Sequence, residues 1–213
     1  MIGQQHQEIA EDFLKELSKG RVCLHPTDTL PGLTCDPRNK KAVQKILDIK
    51  GYANDRPFIH LCAKSDDALR FLANVPAPWH KTLSTLWPSP LSVVWQSREA
   101  FASTGEISGD TIAIRVPILL EEIAWLQIVM QKLALPLPST SVNKKGLPAA
   151  THWDEASTFL KEYDVYIPPK EAFGQARQTQ ASTLIEILDN GDYQLLRQGA
   201  YPKSKLDLLK ELN

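Results

Sequence analysis

The sequence has few cysteines, no long apolar run and no excess of either charge sign, and each shortage removes a class of protein. Its three cysteines, Cys23, Cys35 and Cys62, form no CxxC pair. An odd, scattered set reads as reduced thiols of a cytosolic protein, not as a disulfide framework. The five histidines stand apart, without HExxH or another ligand spacing, so a zinc site is not expected. No two glycines give GxGxxG, and GxxxxGK followed by Ser or Thr is absent, which removes the dinucleotide fingerprint and the Walker phosphate loop. A GxSxG nucleophile elbow is missing as well. The net charge of −1 announces no dedicated nucleic-acid surface and allows a local basic pocket. The start, MIGQQHQEIAEDF, has no basic stretch leading into an apolar one, so no signal peptide is expected. No apolar run approaches the roughly 20 residues that cross a bilayer. The expected compartment is the cytoplasm, with no membrane partner. An enzyme built this way works by positioning its substrates.

What is present is ordinary for a globular protein: 213 residues, 43% hydrophobic and 23% charged, enough for one substantial core. Ile9, Phe13, Leu14 and Leu17 recur at helical spacing over residues 5–19, and Gly20 closes that helix. RVCLH reads as a strand. A second helix over 40–50 carries Val43, Ile46, Leu47 and Ile49 and stops at Gly51. FIHLC is a strand, followed by a helix SDDALRFL that Ser65 is expected to cap. A short helix, a stiff turn at 87–90 and a strand at 91–95 come next. Then follow the strand TIAIRVP, a long helix LLEEIAWLQIVMQKL, and LPLPSTSVN, a strand running into a loop. A helix near 153–162, strands VYI, STLIEIL and YQLLR, and a polar helix from about Ser204 complete the chain. Helices and strands mix without strict alternation, which predicts an α/β fold with an open mixed sheet and helices packed against it.

TIAIRVP is the most informative strand. Alternation puts Thr111, Ala113 and Arg115 on one face and Ile112, Ile114 and Val116 on the other. The isoleucine face belongs to a core. A guanidinium on an inner sheet face needs an anion, because leaving it desolvated and unpaired is costly. That anion is either one of the 25 acidic residues or a ligand carboxylate or phosphate held bidentately. Two hydroxyl-rich stretches offer neutral donors where strands end: HPTDTLPGLTCD (25–36) and PSTSVNKKG, with Ser139, Thr140, Ser141 and Asn143. Such residues commonly cap helices or form turns, and they also suit phosphate oxygens. Lys50 ends a helix, where a cation favours the macrodipole, and Arg56 follows in GYANDRP. Each feature alone has a structural explanation. Together they sketch a pocket for an anionic substrate such as a nucleotide at the strand ends of an open sheet.

PTDTLPGLTCD, AVQKILDIKG, WPSPLSVV, TIAIRVP, LPSTSVNKKGLPAAT, STLIEI and LLRQG occur in the order, and with spacing, that resembles the YrdC/YciO family. The resemblance covers about residues 8–200, and the order of the motifs is more specific than any one of them. It implies a YrdC-like twisted open mixed sheet with flanking helices around a deep cationic cavity. The whole chain, 1–213, would be one such domain ending in a polar helix. The family's threonylcarbamoyl-AMP synthases combine L-threonine, bicarbonate and ATP into threonylcarbamoyl-adenylate and pyrophosphate. A tRNA-modifying transferase complex then uses the product. Carried over, Thr29, Arg115, Ser141 and Ser182 would hold threonine, and Lys50, Thr111, Asn143, Thr151 and Arg197 would hold ATP. Lys50, Arg56 and Arg115 would supply the catalytic charge, with Mg²⁺ accompanying ATP.

The chain departs from the family pattern in four places. Pro31 stands where Tyr is usual, and Lys50-Gly51-Tyr52 lacks the arginine of KxR. Arg56 is expected to take over that arginine's role. His60 comes one residue before the family's histidine, which turns it to the other face of its strand. The glycine usual before the STLIEI strand is missing, with Arg177 and Gln180 nearby. Two further readings stay open at this point. One is a YciO-like paralogue with another carbamoyl or acyl substrate; the other is a non-catalytic protein of ribosome maturation that binds double-stranded RNA. Against the latter, the charge balance predicts RNA binding that is weak at most.

Overall fold

A computed structural model describes residues 3–52, 58–98, 111–174 and 179–207. Its strands are β1 (Val22–His25), β2 (Gly32–Thr34), β3 (Ile59–Leu61), β4 (Leu91–Gln96), β5 (Thr111–Arg115), β6 (Leu137–Ser141), β7 (Val165–Tyr166), β8 (Thr183–Ile187) and β9 (Tyr193–Arg197). The helices are α1 (Gln4–Ser18), α2 (Lys40–Lys50), α3 (Ser65–Arg70), α4 (Ala77–Leu86), α5 (Trp125–Leu133), α6 (Trp153–Leu160) and α7 (Lys203–Asp207). Among the described residues the strands form one nine-stranded sheet in the order β7-β1-β2-β6-β3-β5-β4-β8-β9. The pairs β1–β7, β3–β5 and β4–β8 are parallel and the others antiparallel, so the sheet is mixed, as the unordered alternation of elements predicts.

Helices cover both faces of this sheet. On one face, Trp79 and Leu83 of α4 and Ala68 and Leu69 of α3 pack on Val93, Ile112, Ile114 and Ile185. Nearer the β1 edge, Ile46 of α2 and Leu160 of α6 pack with Leu24 and Leu33. Residues of the opposite strand parity, Cys23, Leu61 and Leu137, meet Phe13 and Leu17 of α1 and Trp125 and Leu126 of α5. Fully burying each such large side chain contributes about 1.5–3 kcal/mol. The alternation read from TIAIRVP therefore holds: its isoleucines are core, and Ala113 and Arg115 point the other way.

Local sequence explains the element ends. Asn39 Oδ1 accepts the Ala42 N–H at 3.1 Å and starts α2. Gly51, at φ +70°, ends it in the left-handed conformation that glycine adopts without a Cβ penalty. Three expectations need correction. Ser65 does not cap α3: Lys64 occupies that position, and the Ser65 hydroxyl donates to Trp87 O at 3.3 Å instead. The long helix over 119–133 divides into a 3₁₀ turn, Glu121–Ile123, and α5. The elbow after β1 contains β2, because Gly32, Leu33 and Thr34 pair antiparallel with His25, Leu24 and Cys23.

Candidate functional site

The β1–β2 elbow, the C-terminal end of α2, the end of β6 and the β8–β9 hairpin surround a cavity of about 500 Å³. The sheet floor beneath it follows from strand register. Ser139, Ile59, Ala113, Val94 and Glu186 form one row across β6, β3, β5, β4 and β8. Leu61 lies beside Arg115, and Leu184 beside Arg197, in a second row. All nine of these residues line the cavity.

Arg115 is buried, 3% exposed, with its guanidinium held on three sides. Nε donates to Ser89 O at 3.1 Å and Nη1 to Thr29 Oγ1 at 2.8 Å. Nη2 donates to Asp28 Oδ1. Burial lowers the Arg115 pKa, opposed by the Asp28 charge and seconded by the nearby Arg197 cation. The structural partner that the strand pattern required is thus Asp28, inside the elbow itself. These bonds use three of the five guanidinium N–H groups and leave one on each of Nη1 and Nη2. Thr29 passes the chain on. The Thr27 hydroxyl donates to Leu30 O at 2.8 Å, so Thr29 Oγ1 is the donor in its 2.9 Å contact with Thr27.

At the α2 end, buried Lys50 directs Nζ to Ser141 O at 2.5 Å and Asn143 Oδ1 at 2.9 Å. Ser141 Oγ donates to the same Asn143 oxygen at 2.8 Å. Across the cavity, Arg197 donates through Nε and Nη2 to Ser182 O at 3.1 and 3.0 Å. Ser182 Oγ lies 2.8 Å from Ser92 Oγ. Three cations, Lys50, Arg115 and Arg197, therefore share one cavity with a single lining carboxylate, Glu186, among the described residues. Even with Arg115 paired to Asp28, the charged side chains around the cavity are more positive than negative.

Of the residues expected to form a site, Thr29, Lys50, Arg115, Ser141, Asn143, Ser182 and Arg197 all line this cavity. Thr111 does not. It shares a face with Arg115 but lies four residues, about 13 Å, along the strand, exposed at the sheet rim. Thr151 is also absent from the lining: its N–H and hydroxyl donate to Glu155 Oε2 at 2.8 and 3.0 Å, fastening the start of α6. Arg56 and Arg177 lie outside the described residues. His60 is buried on the face away from the cavity, with Nδ1 3.1 Å from Ala113 O, as its register predicts, and Leu61 faces the cavity instead. Pro31 and Tyr52 line the cavity. Sequence reasoning missed Asp28, Glu186 and His25. Asp28 and Glu186 were visible only as an acid in an elbow and an acid in an alternating strand, and nothing local tells what either faces.

The profile of the Sua5/YciO/YrdC family, described as "Telomere recombination", matches residues 15–199. The chain belongs to the Sua5/YciO/YrdC family. Two curated members of that family are both called threonylcarbamoyl-AMP synthase. The Vibrio parahaemolyticus protein is 28% identical over 191 residues, 89% of this chain and 98% of that one. The Halorhodospira halophila protein is 38% identical over 103 residues, 47% of this chain and 53% of that one, so the match spans about half of that relative. Among solved Sua5/YciO/YrdC structures, a double-variant P. abyssi Sua5 superposes with a TM-score of 0.79 at 25% identity, over 95% of this chain and 60% of that one. P. abyssi Sua5 complexed with L-threonine gives 0.77 at 23% identity, over 96% and 57%. E. coli YciO gives 0.74 at 20%, over 93% and 92%. The last two likenesses concern the fold alone.

Proposed function

We propose that this chain is a threonylcarbamoyl-AMP synthase, a transferase that consumes L-threonine, bicarbonate and ATP for tRNA threonylcarbamoyladenosine synthesis. The observation that carries the reading is convergence: seven side chains from six separate motifs line one cavity whose charge suits anions. The names of the curated relatives point the same way.

In this reading the threonine amine combines with bicarbonate to give a carbamate and water. A carbamate oxygen then attacks the α-phosphorus of ATP in line, and pyrophosphate leaves with the bonding pair. No covalent protein nucleophile is required; the protein supplies orientation and fixed cations. The two remaining N–H groups of Arg115 take the threonine carboxylate, with Thr29, Ser141 and Ser182 around the amino acid. Lys50, Asn143 and Arg197 face the phosphates; a contribution of charge from Arg56, outside the described residues, rests on the sequence alone. Thr111 and Thr151 stay outside this assignment. Among the described residues no group of three His, Cys, Asp or Glu side chains could hold a metal ion. In this reading magnesium arrives with ATP as the MgATP substrate. No helix among the described residues is long and apolar enough to cross a membrane. In this reading the enzyme works in the cytoplasm and serves a tRNA-modifying complex.

Pyrophosphate release from ATP tests the proposal, with threonine and bicarbonate omitted in turn. Release that needs both is expected. Release indifferent to threonine overturns the assignment and favours a paralogue with another acyl substrate.

A further inference from the structure

His25 has no part in the function just proposed, yet it stands behind the cavity wall, fully buried. Its Nδ1 lies 3.0 Å from Pro26 O, and its Nε2 lies 3.0 Å from Ser139 Oγ. A carbonyl oxygen offers only lone pairs, so the first contact is a hydrogen bond only if Nδ1 carries the proton. Neutral imidazole has one such proton, which leaves Nε2 as a bare acceptor. The Ser139 hydroxyl must then donate to it. Burial keeps the ring neutral, lowering its pKa to about 4, with the Arg115 charge adding to the effect. With its one hydrogen turned back to His25, Ser139 presents only lone pairs to the cavity it lines.

Gly32 makes this arrangement possible. A Cβ there would lie 2.4 Å from His25 Nε2 and 2.7 Å from Ser139 Oγ. The same elbow brings Thr29, bonded to Arg115, three residues from Gly32. An anion subsite and a lone-pair subsite thus stand on one short wall.

We propose that His25 fixes Ser139 as a hydrogen-bond acceptor, so that this point of the wall reads an N–H donor: the amine of the amino-acid substrate. Anionic groups are directed to Arg115, Lys50 and Arg197. Ser139 touches the ligand, and His25 is a positioning residue acting through it. The identity of the ligand rests on the proposed function; the polarity of the subsite does not.

The test compares L-threonine with 3-hydroxybutanoate, the same molecule without its amine, by calorimetry on the full chain. Ser139→Ala and His25→Phe should each weaken threonine binding roughly tenfold, the loss of one charge-assisted hydrogen bond. Binding of the amine-free acid should stay within about twofold. His25→Gln should restore much of the threonine affinity, since its amide can donate to Pro26 O and accept from Ser139. Equal losses for both ligands, or no loss for either, overturn the proposal. Nitrogen-15 spectra of His25 in the free protein provide an independent readout. A protonated Nδ1 and bare Nε2 support the inference, and the reverse tautomer overturns it. If the unaltered protein binds no threonine, the proposed function fails and the tautomer alone decides this inference.

Discussion

Arg115 and Asp28 form a buried ion pair between residues 87 positions apart in the chain, at 3% and 7% side-chain exposure. Asp28 belongs to the elbow and Arg115 to a central strand, so the pair fastens the cavity wall to its floor. Neither charge has water to fall back on, and removing one partner strands the other.

Arg115→Lys should keep the charge and lose the planar fork. The expected result is a 10- to 100-fold drop in threonine affinity, about 1–3 kcal/mol, with ATP affinity nearly unchanged. Asp28→Asn leaves the guanidinium without its counter-ion and should lower unfolding stability by about 3–5 kcal/mol. Calorimetry and urea unfolding measure the two effects. Normal threonine affinity in the lysine variant would make Arg115 a purely structural cation.

Gly32→Ala should be destabilising although its backbone is ordinary strand. The added methyl would enter the space between His25 and Ser139, both constrained by neighbours. Overpacking of this kind costs about 1–3 kcal/mol. A lowered urea midpoint at unchanged slope is the expected signature. An unaltered midpoint would mean that this wall gives way freely.

Acid should weaken the fold through two histidines. Burial lowers the pKa values of His25 and His60 to about 4 from an ordinary value near 6.5. The unfolded chain therefore binds more protons between these values, and stability rises with pH across that window. The contribution is fully present above about pH 6.5 and is lost as pH falls through 4. Each histidine contributes about 3 kcal/mol over the full window. Urea unfolding from pH 7 to 4 should show the loss, and His60→Phe should flatten part of it. A variant with the same pH slope as the parent would remove His60 from the account.

The periodicity of β5 made one face of the site readable before any fold was known. Side-chain direction in a strand is a local property with a period of two. The same rule correctly turned His60 away from the cavity and left Leu61 facing it. Strand ends were less legible. Thr111 obeys the alternation but sits too far along the strand, and only the register with β3 and β4 shows where the cavity stops. Thr151 carries the chemistry of a ligand contact, yet Glu155 engages it, a choice made by the start of α6.

The sequence by itself determined the elements that pattern and capping control: the amphipathic helices, the buried isoleucine face, and a mid-sheet arginine that required an anion. Only the tertiary structure decided which anion that is, and that His25 meets Ser139 across 114 positions of chain. The physical reason is range. Periodicity and capping act over a few residues, whereas these partners are chosen by the order β1-β2-β6-β3-β5, in which β6 from far along the chain lies between β2 and β3. A glycine in β2 then decides whether two of those strands can bring His25 and Ser139 into contact at all.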